Sequence, residues 1–535
     1  MDIQTFNSVQ RKPVMARNMV ASSQPLAAQA GTSAFAKGGN AIDAALATAI
    51  TLTVVEPTMN GLGGDAFAIL WDGEKLHGMN GSGRAPAGWT PARFKGRQAM
   101  DARGWETVTV PGQVAAWADL SDRFGDLPFE ELFEDAIRHA MDGFPVSPVI
   151  ARQWDTAAKE LHSIPGFEAF MPRGRAPRAG EIWRFADQAV TLREIARTHG
   201  RSFYEGRLAH RITAFAAEHG AALSMDDLAA HRTEWVEPIS QSFGPVHVHE
   251  IPPNGQGIAA LIALGILEHL PYGETQPGSA ARAHLEIEAM RAAFADLHAH
   301  ITDPAHMRVK ASDLLDPAYL KHRASLIDPT RAGQYDPGQP ETGGTIYLCA
   351  ADAQGRMISY IQSNFNGFGS GVVVPGTGIS LHNRGKSFSL DPQHPNIVAP
   401  GKKTMHTIIP AFMTQDGRPV MAFGVMGANM QAQGHVQMTL RMVAEGLNPQ
   451  AASDVPRWRV NDVGELIMEA EWPESVIREL EAMGHTPRVE PRDSLEFGSA
   501  QLIARLPQQP DTEPGETVAY IGGSDTRRDG QVIGY

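Results

Sequence analysis

The run Glu341-Thr342-Gly343-Gly344-Thr345-Ile346-Tyr347-Leu348 puts a hydroxyl directly after two glycines. A threonine hydroxyl is a weak nucleophile until a base sits beside it. One way to supply that base is to make the threonine the first residue of a chain, so that its own α-amine accepts the proton. An α-amine titrates near ~7.7–8.0, close to working pH. This chemistry requires scission of the Gly344–Thr345 bond. Glycine leaves the residue-344 carbonyl open and tolerates the bent backbone of an internal attack. A simpler account is a loop that ends on Gly-Gly and a strand that starts at Thr345. On this stretch alone the simpler account takes precedence.

The residues after Thr345 read as a hairpin. Residues 345–352 and 356–363 are strand-like, joined by Ala353-Gln354-Gly355. A three-residue hairpin loop wants positive φ at its third position, and Gly355 supplies it. That loop pairs Asp352 with Arg356 and sets Thr345 opposite Ser363 on one face; a slip of one residue would put Gly344 there instead. Either register brings two hydroxyls to the end of the hairpin. Few charges interrupt the strands, so both faces are expected to be covered.

The elements around this hairpin are legible in outline. Pro25 to Lys37 predicts a helix capped by Ser22 or Ser23, and Asn40 caps an almost wholly apolar helix over Ala41–Val55, which predicts burial on all sides. Gly61-Leu62-Gly63-Gly64-Asp65 is a tight loop before strands near 66–71 and 76–79. It is not a phosphate loop, because no Lys-Ser/Thr follows. Residues 126–330 read mainly as helix, including a long amphipathic one over 280–300. The stretch 329–344 is rich in Pro, Gly, Asp and Thr and reads as an exposed, mobile linker. Strand-like runs come next at 345–351, 356–363, 372–374, 405–412, 419–425 and 516–521. Helices before a linker and strands after it predict two interdependent segments around layered sheets.

Composition narrows the function. The 535 residues carry a net charge of −14 with dispersed Lys and Arg, which argues against nucleic acid as a partner. A single cysteine, Cys349, forbids an intrachain disulfide. The N-terminus has no apolar core of signal-peptide length, and the most apolar window, 41–55, is too short and too Thr-rich to span a bilayer. The expectation is a soluble cytoplasmic protein with no membrane partner.

Further motifs change the reading of Thr345. The segment Gly369-Ser370-Gly371-Val372-Val373-Val374-Pro375-Gly376-Thr377-Gly378-Ile379 closely resembles the one after the catalytic hairpin of the γ-glutamyltranspeptidase family. Matches in order along residues 18–535 include Gly39-Asn40-Ala41-Ile42-Asp43-Ala44-Ala45, Val55-Glu56-Pro57 with Gly63-Gly64-Asp65, and Val110-Pro111-Gly112. Gly522-Gly523-Ser524-Asp525 and Arg528-Asp529-Gly530 complete them. The resemblance implies an α+β fold, a four-layer αββα sandwich of the N-terminal-nucleophile (Ntn) hydrolases, built from autoprocessed segments 1–344 and 345–535. It implies cleavage between Gly344 and Thr345, with Thr345 as nucleophile and new N-terminus. By the same resemblance Ser363 hydrogen-bonds the nucleophile, and the backbone N–H groups of Gly427 and Ala428 form the oxyanion hole. Only an N–H is needed there, so Ala428 in place of the usual glycine is compatible with function.

The residues expected to hold substrate depart from the family. His406 and Thr407 fall where two substrate-contacting serines stand, Ser387 where an aspartate stands, and Phe365 where an asparagine stands. Ser82 replaces an arginine, with Arg84 two residues on as a candidate carboxylate anchor. Asn383 and Arg384 are further candidates for the pocket. A site without an acidic group has no evident partner for an ammonium, which favours a desamino acyl group such as glutaryl, or an oxamate-type substrate. The segment 395–401 runs straight into Lys402-Lys403, so a lid looks short and hydrolysis is expected over transfer.

Together these residues read as a self-cleaving amidohydrolase with no cofactor, acting on a small-molecule acyl amide. Its two fragments stay associated, and a dimer of such heterodimers fits. Two rivals are an uncleaved binding protein of the same fold and a metal-dependent hydrolase using His298 and His300 with Asp303 and His306. Alternating His ligands normally need a strand and a carboxylate shell, whereas these fall at a helix end, so no metal is expected.

Overall fold

The structure, a computed structural model, describes residues 11–333, 335, 344–461, 464–492, 494–507 and 518–535. Gly343 and much of the predicted 329–344 linker lie outside the described residues. The described part of the linker is tied down: Ala332 N–H donates to the Met483 carbonyl at 2.8 Å, and Gly333 N–H to Glu288 Oε2 at 2.7 Å.

Two seven-stranded antiparallel sheets stack face to face. At the centre of the first is the predicted hairpin, Gly344–Ala351 with Met357–Phe365. It is flanked by Met19–Ser22 on one side and Asp65–Trp71 on the other. Arg418–Met426 lies at the centre of the second sheet, between Ala411–Gln415 and Ser499–Arg505. Strand alternation sorts the side chains. Ile346, Leu348, Ala350, Ile358 and Tyr360 face the first helical layer, while Tyr347, Cys349, Met357 and Ile361 fill the space between the sheets with Phe412, Ala422 and Ile503. On the far side Met413, Met421, Phe423 and Leu502 pack against helices Gly257–Leu267, Ala280–His300 and Met430–Thr439. The order of layers is therefore αββα.

Ala41–Val55 is buried along its whole length, because the sheet covers one side and other helices cover the rest. Its N-terminus is a capping box between Asn40 and Asp43. The preceding helix, Pro25–Ala36, is capped by the Gln24 side chain rather than by Ser22 or Ser23. Ser23 instead donates to Glu56. This accounts for the Val55-Glu56-Pro57 motif: burial pushes the Glu56 carboxyl up to about 7, and the Ser23 hydroxyl and the Arg528 charge oppose that rise.

Two expectations need correction. The run 405–412 is a strand only from Ala411, and residues 239–250, read as part of a helical region, form the strands Ile239–Phe243 and Val246–Glu250. Strands from before and after residue 344 share each of the two seven-stranded sheets, so neither segment forms either of them alone. Among the described residues no helix is long and apolar enough to cross a membrane.

The Gly-Gly-Ser-Asp motif near the C-terminus is a buried charge knot. Asp525 accepts from Arg457 at 2.6 Å and from Ala500 N–H at 2.8 Å, while Arg527 reaches both Asp525 and Glu469. Burial alone would raise the Asp525 carboxyl; the charges of Arg457 and Arg527 hold it well below the usual carboxylate range. Asp525→Asn is therefore expected to cost about 3 kcal/mol or more, since it leaves the buried Arg457 guanidinium without its ion-pair partner, while Arg527 keeps Glu469. Its urea midpoint should fall accordingly. Because the folded-state pKa is depressed, this contribution is present above about pH 4 and is lost as pH falls further.

Candidate active site

The hairpin register is the one derived from the sequence. Ile346 pairs with Gln362 and Ala351 with Met357, Asp352 N–H donates to the Arg356 carbonyl at 3.0 Å, and Gly355 has φ 94°. A bulge falls between Ile346 and Gly344, which is paired with Phe365. Thr345 Oγ1 lies 3.2 Å from Ser363 Oγ, and both side chains are fully buried. The next strand continues the row, since Ser363 pairs with Asp65. Three adjacent strands thus end in Thr345, Ser363 and Asp65.

Gln431 touches Thr345 from the opposite sheet. It sits in the first turn of the helix Met430–Thr439, where its Nε2 donates to Thr345 Oγ1 at 3.2 Å and its Oε1 accepts from Ile409 N–H at 3.0 Å. The strand-to-helix turn before it carries Gly427 (φ 123°) and Ala428 (φ 52°), both with positive φ. An alanine in this region costs roughly 1–2 kcal/mol. Gln256 holds the turn in place, donating to the Ala428 carbonyl at 2.8 Å and also to the Thr407 carbonyl. Sequence reading missed Gln431 and Gln256. Their one visible signal was an amide side chain beside a glycine turn in an otherwise apolar setting.

Asp65 is the buried charge behind the row. His406 Nε2–H donates to its Oδ2 at 2.9 Å and Gly83 N–H to its Oδ1 at 3.2 Å; His382 Nδ1 lies 3.1 Å and Arg384 Nε 3.7 Å from Oδ2. Burial would push this carboxyl up, but the His382 charge and the hydrogen bonds from both histidines hold it well below the usual range. Burial and then the Arg384 charge push His406 down to about 3, so its ring is neutral. Its Nδ1 accepts from Ile408 N–H at 3.3 Å. The glycine loop that delivers Asp65 is packed backbone to backbone: a Cβ on Gly64 would lie 2.7 Å from the Ser363 carbonyl oxygen.

A cavity of about 980 Å³ has Phe365, Ser387 and Thr407 in its wall, and the link from it to the row is the Phe365 N–H, which donates to Ser363 Oγ at 2.7 Å. Arg384 is buried directly against that wall. Its guanidinium carbon lies 4.2 Å from the Phe365 ring centroid, and its Nη1 donates to Thr407 Oγ1 at 2.9 Å. Asn383 clamps loops instead, accepting from Asn366 N–H at 3.0 Å and donating to the Ala102 carbonyl at 2.9 Å. The His406 ring is turned to Asp65 and Phe67, not to the cavity. Arg84 is not brought to the cavity: its fork meets Glu234 at 2.8 Å, the Gly401 carbonyl at 3.1 Å and Asp303 at 3.3 Å. His298 borders the cavity, but the candidate ligands His298, His300, Asp303 and His306 do not converge. Among the described residues the group of metal-type ligands that does is His284, Glu288 and His485. There the Arg291 guanidinium, 2.9 Å from Glu288 Oε1 and 3.4 Å from His485 Nδ1, occupies the cation's place.

Comparison with known proteins gives this geometry a family. The family model described as gamma-glutamyltranspeptidase matches residues 27–535. The chain is similar to the glutathione hydrolase-like YwrD proenzyme of Bacillus subtilis, at 36% identity over 97% of this chain and 98% of that one. It is also similar to the oxamate amidohydrolase proenzyme of Klebsiella pneumoniae, at 34% identity over 98% and 99%. Among solved structures, the cephalosporin acylase from Bacillus halodurans superposes with a TM-score of 0.93 at 46% identity, over 100% of this chain and 99% of that one. With a nucleophile-type threonine at the head of a central hairpin and relatives of this kind along its whole length, the chain belongs to the gamma-glutamyltranspeptidase family and is an Ntn amidohydrolase.

Proposed function

We propose that the protein is an autoprocessing amidohydrolase that cleaves γ-glutamyl or related acyl amides through an acyl-enzyme on Thr345, with hydrolysis favoured over transfer. The observation that carries this reading is Thr345 Oγ1 held between Ser363 Oγ and Gln431 Nε2, at 3.2 Å from each, at the start of the central strand. Maturation begins when the Thr345 hydroxyl attacks the Gly344 carbonyl and the peptide shifts from nitrogen to oxygen as an ester. Water hydrolyses that ester. Gly344 is left as a carboxylate and Thr345 with a free α-amine. The proenzyme names of the relatives support two chains, 1–344 and 345–535, held together by the shared sheets.

In turnover the Thr345 α-amine takes the hydroxyl proton as Oγ1 attacks the substrate carbonyl. In this reading the N–H groups of Gly427 and Ala428 receive the developing oxyanion, which their positive φ at the strand-to-helix turn supports. The amine then gives its proton to the leaving nitrogen, and an ester on Thr345 remains. Water adds to the ester with the α-amine as base, releasing the acid and restoring the hydroxyl. Ser363 and Gln431 orient Oγ1 throughout. A second reading, an acylase for desamino acyl amides of the glutaryl or oxamate type, is favoured by Phe365 and Ser387 in the cavity wall, where neither side chain neutralises an ammonium.

Thr345→Ala is expected to remain a single chain by denaturing intact mass and to lack amidase activity, while the parent yields a fragment beginning Thr-Ile-Tyr-Leu. Cleavage and turnover by the variant would refute the mechanism. A stable, uncut parent without activity would favour the binding-protein alternative. Because the base is an α-amine, kcat/KM should decline on the acid side with an apparent pKa at or below about 8, as the amine gains a proton. Gln431→Ala should lower kcat by about 10-fold or more through lost positioning of Oγ1, read by single-turnover acylation against the parent.

A further inference from the structure

Gln256 stands one step behind the nucleophile. Its backbone N–H donates to the His406 carbonyl at 2.9 Å, and its side-chain Nε2 donates to the Ala428 carbonyl at 2.8 Å and to the Thr407 carbonyl. Two carbonyl partners leave the amide one orientation, with nitrogen toward the turn, and its Oε1 is buried with no hydrogen-bond partner among the described residues. An amide held in the core with half of its hydrogen bonding unmet calls for an explanation beyond packing. The Ala428 carbonyl also accepts the Gln431 N–H at 3.1 Å, and the Gln431 side chain is the one on Thr345 Oγ1. One bond from Gln256 thus bears on both the turn and the glutamine that touches the nucleophile. The same segment grips the helix a second time: Glu250 meets His435, one helical turn beyond Gln431, at 2.6 Å, and both side chains are fully buried.

We propose that Gln256 is a positioning residue for the oxyanion site, holding Ala428 at its positive φ so that the Gly427 and Ala428 N–H groups stay aimed at the reacting carbonyl. This rests on the Thr345 mechanism above. At φ 52° an alanine is under strain that a negative φ would relieve. With the following helix fixed, that relaxation swings the 427–428 peptide plane and carries the Ala428 N–H away from the oxyanion. The Gln256 bond to the Ala428 carbonyl opposes the swing from the far side of the same residue, and its bond to Thr407 ties the turn to the loop that Gln431 also holds through Ile409. A glycine at position 428 would not need this hold, because positive φ costs it little. The amide at 256 and the methyl group at 428 are therefore energetically coupled. Since the oxyanion exists only in the transition state and the tetrahedral adduct, the effect falls on the rate of acylation and not on substrate binding.

The test acylates self-processed enzyme with p-nitrophenyl acetate in single-turnover mode and subtracts the Thr345→Ala background. Intact mass places one acetyl group on the fragment that begins at Thr345. Gln256→Leu, which keeps the bulk and loses the donor, should lower the limiting acylation rate by about 10-fold or more and leave the half-saturating ester concentration within about 2-fold. Gln256→Glu, which donates only while protonated, should fall between parent and Gln256→Leu. A purely structural loss would instead lower the fraction that reacts and not the rate of that fraction. In an Ala428→Gly background the same Gln256→Leu change should cost about 3-fold or less, because the strain it releases is gone. An unchanged rate in processed Gln256→Leu overturns the proposal, and so does an equal loss in both backgrounds. A crystal structure of the processed parent in which Gln256 Nε2 is not bonded to the Ala428 carbonyl also overturns it, even if no Gln256 variant folds. Failure of the Thr345 mechanism looks different: a processed parent that gains no acetyl group at Thr345 removes that mechanism and this proposal together.

Discussion

Everything near the nucleophile depends on keeping one carboxylate charged without water. Asp65 is completely buried, and burying an uncompensated carboxylate is prohibitive, so its surroundings must supply donors and positive charge. They come from separate parts of the chain. The Gly83 N–H lies just past the next strand, His382 and Arg384 belong to the loop after Ile379–Ser380, and His406 precedes Ala411–Gln415. Satisfying one side chain therefore fixes loops that contribute Ser387 and Thr407 to the cavity wall. Asp65 is also the third member of the row that starts at Thr345, so the same carboxylate locks the strand that backs Ser363.

The sequence made the hairpin legible because its information is local. Gly355, the loop length and the alternation of side chains determine the register, and with it the meeting of Thr345 and Ser363. The all-apolar helix 41–55 and its Asn40 cap were legible for the same reason. The missed features are non-local. Gln431 reaches Thr345 across the gap between sheets, and Gln256 ties loops more than 150 residues apart in sequence, and no spacing in the chain encodes either. The strands at 239–250 interleave Ser and Gln, and then His, with their apolar residues near a sheet edge, so their pattern lacks the apolar run of a central strand. Arg84 illustrates the converse failure. A glycine-rich neighbourhood suggested a site loop, but Glu234 and Asp303, distant in sequence, claim its guanidinium.

Conserving the attack while changing the substrate is straightforward in this fold because the two jobs use different kinds of group. In the proposed mechanism attack relies on hydroxyls at strand ends and on backbone N–H groups at a turn, and the sheets fix these positions. The cavity wall draws on side chains of the 365–407 loops, which can change without moving a strand. In that mechanism Ala428 needs only its backbone N–H, which a methyl group at φ 52° leaves in place.

Phe365 joins the two sets. Its φ of 75° is unfavourable for an aromatic residue, so the surroundings must over-determine it. Two contacts do so. Its N–H donates to Ser363 Oγ at 2.7 Å, which fixes the hydroxyl beside Thr345, and its ring carries the Arg384 guanidinium at 4.2 Å. A buried cation–π contact is worth up to about 2 kcal/mol, comparable to the backbone strain it offsets. A single strained residue thus orients the partner of the nucleophile with its backbone and shapes the acyl pocket with its side chain. An asparagine at this position would retain the backbone hydrogen bond, since asparagine adopts positive φ more readily, but it would remove the shelf beneath the guanidinium. Phe365 and Arg384 are therefore linked: the aromatic ring joins Asp65 and Thr407 in making a buried cation tolerable there.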